Sequence, residues 1–365
     1  MFFSTRDRTL RVSASEALLK GISPEGGLFL PETIVPVDYH SLKDASYPEI
    51  ALAILRPYLD DFSIEEIKEA VAKAYSPNAF PEKIFDLHLA GEHAFLELFH
   101  GLTLTFKDMA LSLLPYLMDA ALDKHPEVGD VRILTATSGD TGSAVLSSFA
   151  SSKRVKVSVL YPDGGIAPFQ EKQMLSFTSS RGRAYALKNA NFDDCQTLVK
   201  SLLLKQEAGV SYSSANSINI GRLLPQVVYY YAAYIGLVKK GFLKEGEKID
   251  VVVPTGNFGD IFAAYLAKKM GLPFGKLVVA SNANDVLTDF FKDGRYDVHR
   301  EFLKTNSPSM DILVSSNLER LLYLSCLDDH QVASWERNLK EKGFFQVDAK
   351  TLGVLQEDLD RKSTR

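Results

Sequence analysis

Val131-Arg-Ile-Leu-Thr-Ala-Thr-Ser-Gly-Asp-Thr-Gly142 decides the fold class of this chain. Its first half, Val131 to Ala136, is a short β-prone run. Its second half places two glycines and three hydroxyls in a turn, and a helix is predicted from about Ser143 to Ser151. A strand that empties through a Gly-containing turn into a helix is the unit from which parallel sheets are built. Val155-Lys-Val-Ser-Val-Leu-Tyr161 predicts the next strand, ending at Pro162-Asp-Gly-Gly165. Ile249-Asp-Val-Val-Val-Pro254 repeats the pattern, with a turn over Thr255–Gly259 and a helix to about Met270. Between these units a long helix is predicted from Leu223 through Val238. Its Tyr229, Tyr230, Tyr231 and Tyr234 read as core packing, because a helix apolar on most sides is usually buried.

The strands and helices alternate from about residue 94 onward, which divides the chain into an N-terminal subdomain over 1–93 and lobes over 94–240 and 241–365. In the first part Ser63 and Glu66 have capping-box form. Ile64, Ile67, Val71 and Ala74 then mark one apolar helix face, and Pro77 and Pro81 close the region. With 365 residues, 46% of them hydrophobic and 24% charged, the composition is that of an ordinary globular protein. A net charge of −5 offers no basic field to nucleic acid or to an anionic membrane. The two cysteines, Cys195 and Cys326, suit a reducing compartment. Charge follows at once on Met1-Phe-Phe, and no apolar run has transmembrane length, so a cytoplasmic location is expected. His88, His93 and His100 lack the spacing that places two ligands on one helix face, and no metal is expected.

Four segments carry chemistry. Thr137–Gly142 and Thr255-Gly-Asn-Phe-Gly-Asp260 each join a strand to a helix N-terminus, where free N–H groups and the dipole favour anions. Taken alone, either turn is equally an ordinary βα loop. Neither fits a Gly-x-Gly-x-x-Gly dinucleotide site or a P-loop. Lys107, between Phe106 and Asp108, reads on composition alone as a solvated residue at a helix start. Arg222 follows an amide-rich stretch, Ser213 to Gly221, and its planar fork suits phosphate or carboxylate; a solvated helix start accounts for it equally well.

Together these segments closely resemble threonine synthases of the bacterial and fungal type. The matching stretches are His100-Gly-Leu-Thr-Leu-Thr-Phe-Lys107-Asp108, Thr135-Ala-Thr-Ser-Gly-Asp-Thr-Gly142, Ser214-Ala-Asn-Ser-Ile-Asn-Ile-Gly-Arg222 and Pro254-Thr-Gly-Asn-Phe-Gly-Asp260. Gly26-Gly-Leu-Phe-Leu-Pro31 and Tyr161 to Lys172 extend the resemblance over nearly the whole chain. It implies an α/β, pyridoxal-phosphate-dependent enzyme of fold type II, tryptophan synthase β-like, with two parallel-sheet lobes and an N-terminal subdomain. It implies Lys107 as the Schiff-base lysine, and Gly256, Asn257, Phe258 and Gly259 as the loop that holds the cofactor phosphate. Asp140 is implied near the ring hydroxyl, where many relatives have asparagine. Ser138 and Thr141 are implied at the substrate carboxylate and Arg222 at its phosphate. The implied reaction converts O-phospho-L-homoserine and water to L-threonine and phosphate. A related phospho-lyase releasing a keto acid and a silent cofactor-binding homologue are the alternatives.

Two departures stand out. Leu102 replaces the family's usual proline in His-Gly-Pro-Thr. Relatives also continue for several tens of residues beyond Arg365, with a Pro-His segment and a threonine near the pyridine nitrogen. Relative to the family, the 241–365 lobe is therefore expected to be C-terminally incomplete.

Overall fold

The computed structural model describes residues 1–190, 192–203 and 210–363. At the N-terminus Phe2–Ser4 lies between Asp7–Val12 and Phe29–Pro31, antiparallel to both. Phe2, Phe29 and Leu30 turn inward from this small sheet. Helices follow, each entered through a capping box in which a serine hydroxyl and a glutamate exchange hydrogen bonds with each other's backbone. Ser13 and Glu16 open Ala14–Lys20, and Ser46 and Glu49 open Tyr47–Leu55. Ser63 and Glu66 open Ile64–Ala74, as their spacing predicts. In the last of these Ile67, Ala70, Val71 and Ala74 form the buried face. An antiparallel hairpin, Asp86–Ala90 with His93–Glu97, connects this region to the Lys107 segment.

Two parallel sheets organise the rest, as expected from the strand–turn–helix units. In the first, the strand order is Gly182–Leu187, Val155–Pro162, Val131–Ala136, Ser211–Ser213. In the second it is Ile249–Pro254, Phe274–Ser281, Leu359–Ser363. One hydrophobic cluster runs through the N-terminal helices and both sheets, so the parts share a core. No helix among the described residues is long and apolar enough to cross a membrane.

Two helices begin three residues earlier than their apolar periodicity predicts, and both shifts bear on the site. The first spans Asp140–Ser148 rather than starting at Ser143, with Phe149–Ser151 continuing as a 3-10 turn. The second spans Ile220–Lys239 rather than Leu223 to Val238. Polar caps make the difference, and periodicity does not register them. The Asn219 side chain accepts the Gly221 N–H at 2.8 Å while its amide donates to the Leu18 and Ser214 carbonyls at 3.0 and 2.9 Å. Arg222 therefore lies inside the first helical turn. The tyrosine run is buried, as expected. Its hydroxyls are nevertheless satisfied: Tyr231 donates to the Met270 carbonyl at 3.1 Å and Tyr234 to the Glu247 carbonyl at 2.9 Å.

Candidate active site

Both turns singled out in the sequence lie at the C-terminal ends of parallel strands, where α/β sheets bind ligands. In the first, the buried Thr137 hydroxyl accepts the N–H groups of Gly139 and Gly142, each at 3.0 Å. This draws the chain into the helix at once, so Asp140 and Thr141 occupy its first turn. Gly139 has φ +147°, and a Cβ there would collide with the Gln170 side chain. A Cβ on Gly142 would stand 2.5 Å from Met174 Sδ. Only glycine allows the turn to close this tightly.

In the second turn the carbonyls are tied back to the scaffold. The Ser315 hydroxyl donates to the Gly256 carbonyl at 2.6 Å, and the Asn317 backbone and side-chain amides donate to the Asn257 carbonyl at 3.0 and 3.1 Å. Phe258 takes φ +65°, an uncommon conformation for a bulky residue, and its buried ring stacks on Phe291 at 6.0 Å. Packing therefore over-determines the strained residue. Among the described residues, the N–H groups of Gly256 to Gly259 donate to no protein acceptor, and the Gly259–Lys269 helix adds its positive end. A Cβ on Gly256 would come within 3.2 Å of Ile312 and 3.3 Å of Met310. Asp260, at the first turn of that helix, accepts from the hydroxyls of Tyr229 and, at 2.7 Å, Tyr230. Burial pushes its carboxyl up, against those two hydrogen bonds and the charge of Lys107.

Lys107 opens a short helix, Asp108–Leu111. The chain reaches it through Leu104 at φ +58°. Asp108 folds back to accept the Thr103 N–H at 2.8 Å and its hydroxyl at 2.5 Å. Gly101 leaves room for that carboxylate, which a Cβ would meet at 2.5 Å. The Lys107 side chain, 13% exposed, carries its Nζ to 2.5 Å from Asp140 Oδ2 and 4.6 Å from the Phe106 ring centroid. Burial pushes the Asp140 carboxyl up. The charge and hydrogen bond of Lys107, the Thr141 N–H and the charge of Arg222 outweigh it and hold the group below the usual carboxylate range.

Arg222 is 2% exposed, so it is not the solvated arginine that a helix start suggests. Its Nη1 donates to the Ala215 carbonyl at 2.8 Å, while Nε has no partner among the described residues. Burial draws its pKa down to about 10, against the opposing charges of Asp140, Tyr229 and Asp108. The structure brings Lys107, Ser138, Asp140, Thr141, Arg222 and the Gly256–Gly259 turn onto one cavity. Asn216, Gln226 and the Ser309–Met310 segment share it and were missed in the sequence. Asn216 and Gln226 each present a buried carbonyl oxygen without a partner among the described residues. A signal existed for Gln226, a polar residue on an apolar helix four positions after Arg222. For Ser309 and Met310 there was none.

The donor set fits pyridoxal phosphate. A primary amine suits its aldehyde, and amides with free N–H groups, set in a cradle that Cβ atoms would crowd, suit its phosphate. A separate buried cation remains for a second anion.

The sequence and fold are similar to those of known proteins. Residues 1–75 match the model of the threonine synthase N terminus, and residues 89–345 match that of pyridoxal-phosphate-dependent enzymes. Human "Threonine synthase-like 1" is 41% identical over 98% of this chain and 52% of its own length. The chain thus spans about half of that relative. Threonine synthase of Schizosaccharomyces pombe is 37% identical over 98% of this chain and 75% of its own. The pyridoxal-phosphate-bound crystal structure of Brucella melitensis threonine synthase superposes with a TM-score of 0.89 at 37% identity, covering 99% of this chain and 78% of that one. A shared fold of type II, two matching family models and similarity to threonine synthases along nearly all of this chain lead to one conclusion: this chain belongs to the threonine synthase family of pyridoxal-phosphate-dependent enzymes.

Proposed function

We propose that the chain converts O-phospho-L-homoserine and water to L-threonine and phosphate. The observation that carries this reading is the joint placement of an amine, an amide cradle and a buried, incompletely partnered arginine on one cavity. Gly256, Asn257, Phe258 and Gly259 would hold the cofactor phosphate through their N–H groups, and Lys107 Nζ would be its covalent attachment point. Asp140 would lie beside the ring hydroxyl. Ser138 and Thr141 would receive the substrate carboxylate, and Arg222 its phosphate.

The bound cofactor supplies an electron sink that acidifies the substrate's carbon framework. Lys107 Nζ would take the proton from the substrate Cα and later return one. Arg222 offsets the charge gathering on the departing phosphate, in a dry setting where such an interaction is strong. Within the same proposal the partner is a small molecule, without nucleic acid or membrane, and the location is cytoplasmic; the negative net charge and two free cysteines support this.

Incubating the purified protein with pyridoxal phosphate and O-phospho-L-homoserine, then identifying products by mass spectrometry, tests the reaction. Threonine is expected. Release of 2-oxobutyrate would assign a phospho-lyase instead, and a yellow protein with no turnover would remove both. Borohydride reduction should leave the cofactor's mass on the peptide containing Lys107, and Lys107→Ala should abolish that label. A label surviving in the variant would refute the attachment site.

A further inference from the structure

Arg320 lies in the Leu318–Cys326 helix, 0% exposed and away from the groups assigned above. Nothing in Leu318-Glu-Arg-Leu-Leu-Tyr marks it. The carboxylate next to it in sequence is taken: Glu319 accepts from Arg6 Nε and Nη2 at 2.9 and 2.7 Å and from the Thr5 hydroxyl. The Arg320 guanidinium instead donates to backbone and amide oxygens from three parts of the chain. Nε reaches the Phe29 carbonyl of the N-terminal sheet at 3.0 Å, and Nη2 the Ile218 carbonyl at 2.6 Å. Nη1 reaches the Ser217 carbonyl at 3.4 Å and also the Asn317 side-chain oxygen. Asn317 is the residue whose backbone and side-chain N–H groups both donate to the Asn257 carbonyl.

We propose that Arg320 is a positioning residue for cofactor binding: acting through Asn317, it turns the amides of the Gly256–Gly259 cradle toward a phosphate and locks the cradle to the Ser217–Ile218 segment of the substrate side. An unpaired cation is expensive to bury, and burial pulls this one down to about 9, with Glu319 opposing. A planar fork that satisfies four oxygens at once explains why arginine is placed here, since the single ammonium of lysine cannot span them. The inference rests on the reading of the cradle as the cofactor-phosphate site.

The test titrates cofactor-free protein with pyridoxal phosphate and, separately, with pyridoxal, which lacks the phosphate. Arg320→Lys keeps the charge and loses the fork. Asn317→Ala leaves the buried cation its three carbonyl partners and decides the matter if the arginine variant fails to fold. Both should weaken pyridoxal phosphate about tenfold or more while moving pyridoxal by less than about twofold, and the double variant should be no worse than the weaker single. Equal losses for the two ligands, or no loss for pyridoxal phosphate, would overturn the proposal. Gly256→Val separates it from the reading beneath it. If that change leaves the preference for the phosphorylated ligand intact, the cradle reading itself falls; if it abolishes the preference while the Arg320 and Asn317 variants retain it, only the positioning role falls.

Discussion

Arg222→Met separates what the fold requires of this residue from what a phosphorylated ligand requires. Among the described residues the guanidinium has one hydrogen bond, 2.8 Å to the Ala215 carbonyl, and burial has drawn its pKa from the usual arginine value to about 10. A depression of that size corresponds to roughly 3 kcal/mol of unfavourable placement for the charge. Methionine, of similar length, removes that penalty. It also leaves the Ala215 carbonyl unsatisfied, which costs about 1–3 kcal/mol. The two nearly cancel, so folding stability should change by no more than about 2 kcal/mol in either direction. Ligand binding should respond quite differently. Truncating a buried charge that pairs with a ligand costs about 2–5 kcal/mol, or roughly thirtyfold to a few thousandfold in affinity. Urea unfolding gives the first quantity. Comparing O-phospho-L-homoserine with unphosphorylated homoserine as ligands gives the second. A destabilisation above about 4 kcal/mol together with equal loss of both ligands would show that Arg222 serves the fold alone.

Asp140→Asn should reveal a pH-dependent share of stability. The folded protein holds this carboxyl below its unfolded value, so its contribution is complete above about pH 4 and is lost as pH falls through the folded value. The stability gap between wild type and variant should therefore be present at neutral pH and close on acidification; a gap that widens in acid would contradict the assigned ion pair. Gly142→Ala should destabilise by about 1–3 kcal/mol, because the added methyl would stand 2.5 Å from Met174 Sδ and 2.9 Å from Thr137 Cγ2. Thermal unfolding measures this, and an unchanged midpoint would mean that the turn has slack the close contacts deny.

The contribution of the sequence differs from element to element. Strands such as Val131–Ala136 and Ile249–Pro254 were legible to the residue, because β-prone runs bounded by turn residues are local signals. Helix starts were misjudged where a polar side chain, Thr137 or Asn219, closes the first turn ahead of the apolar pattern. The capping boxes at Ser63 and its counterparts are just as local, with both partners three residues apart, and the spacing captured the one it was applied to. Lys107 had no local signal beyond its place at a helix start. Its standing in the sequence came from resemblance, and in the structure it comes from the 2.5 Å approach to Asp140 across the cavity.

Sequence alone determined the α/β class, the strand–turn–helix junctions and the glycines that let them close, since all of these follow from side chains and dihedral angles within a few residues. Tertiary structure decided the rest. It brought both turns to one cavity, buried Arg222 and left it incompletely partnered, and held Phe258 at positive φ against Phe291. It also gave Arg320 partners as distant as Phe29, 291 positions away. Contacts of that range leave no period or spacing in the chain, because they exist only once a common core has brought the segments together.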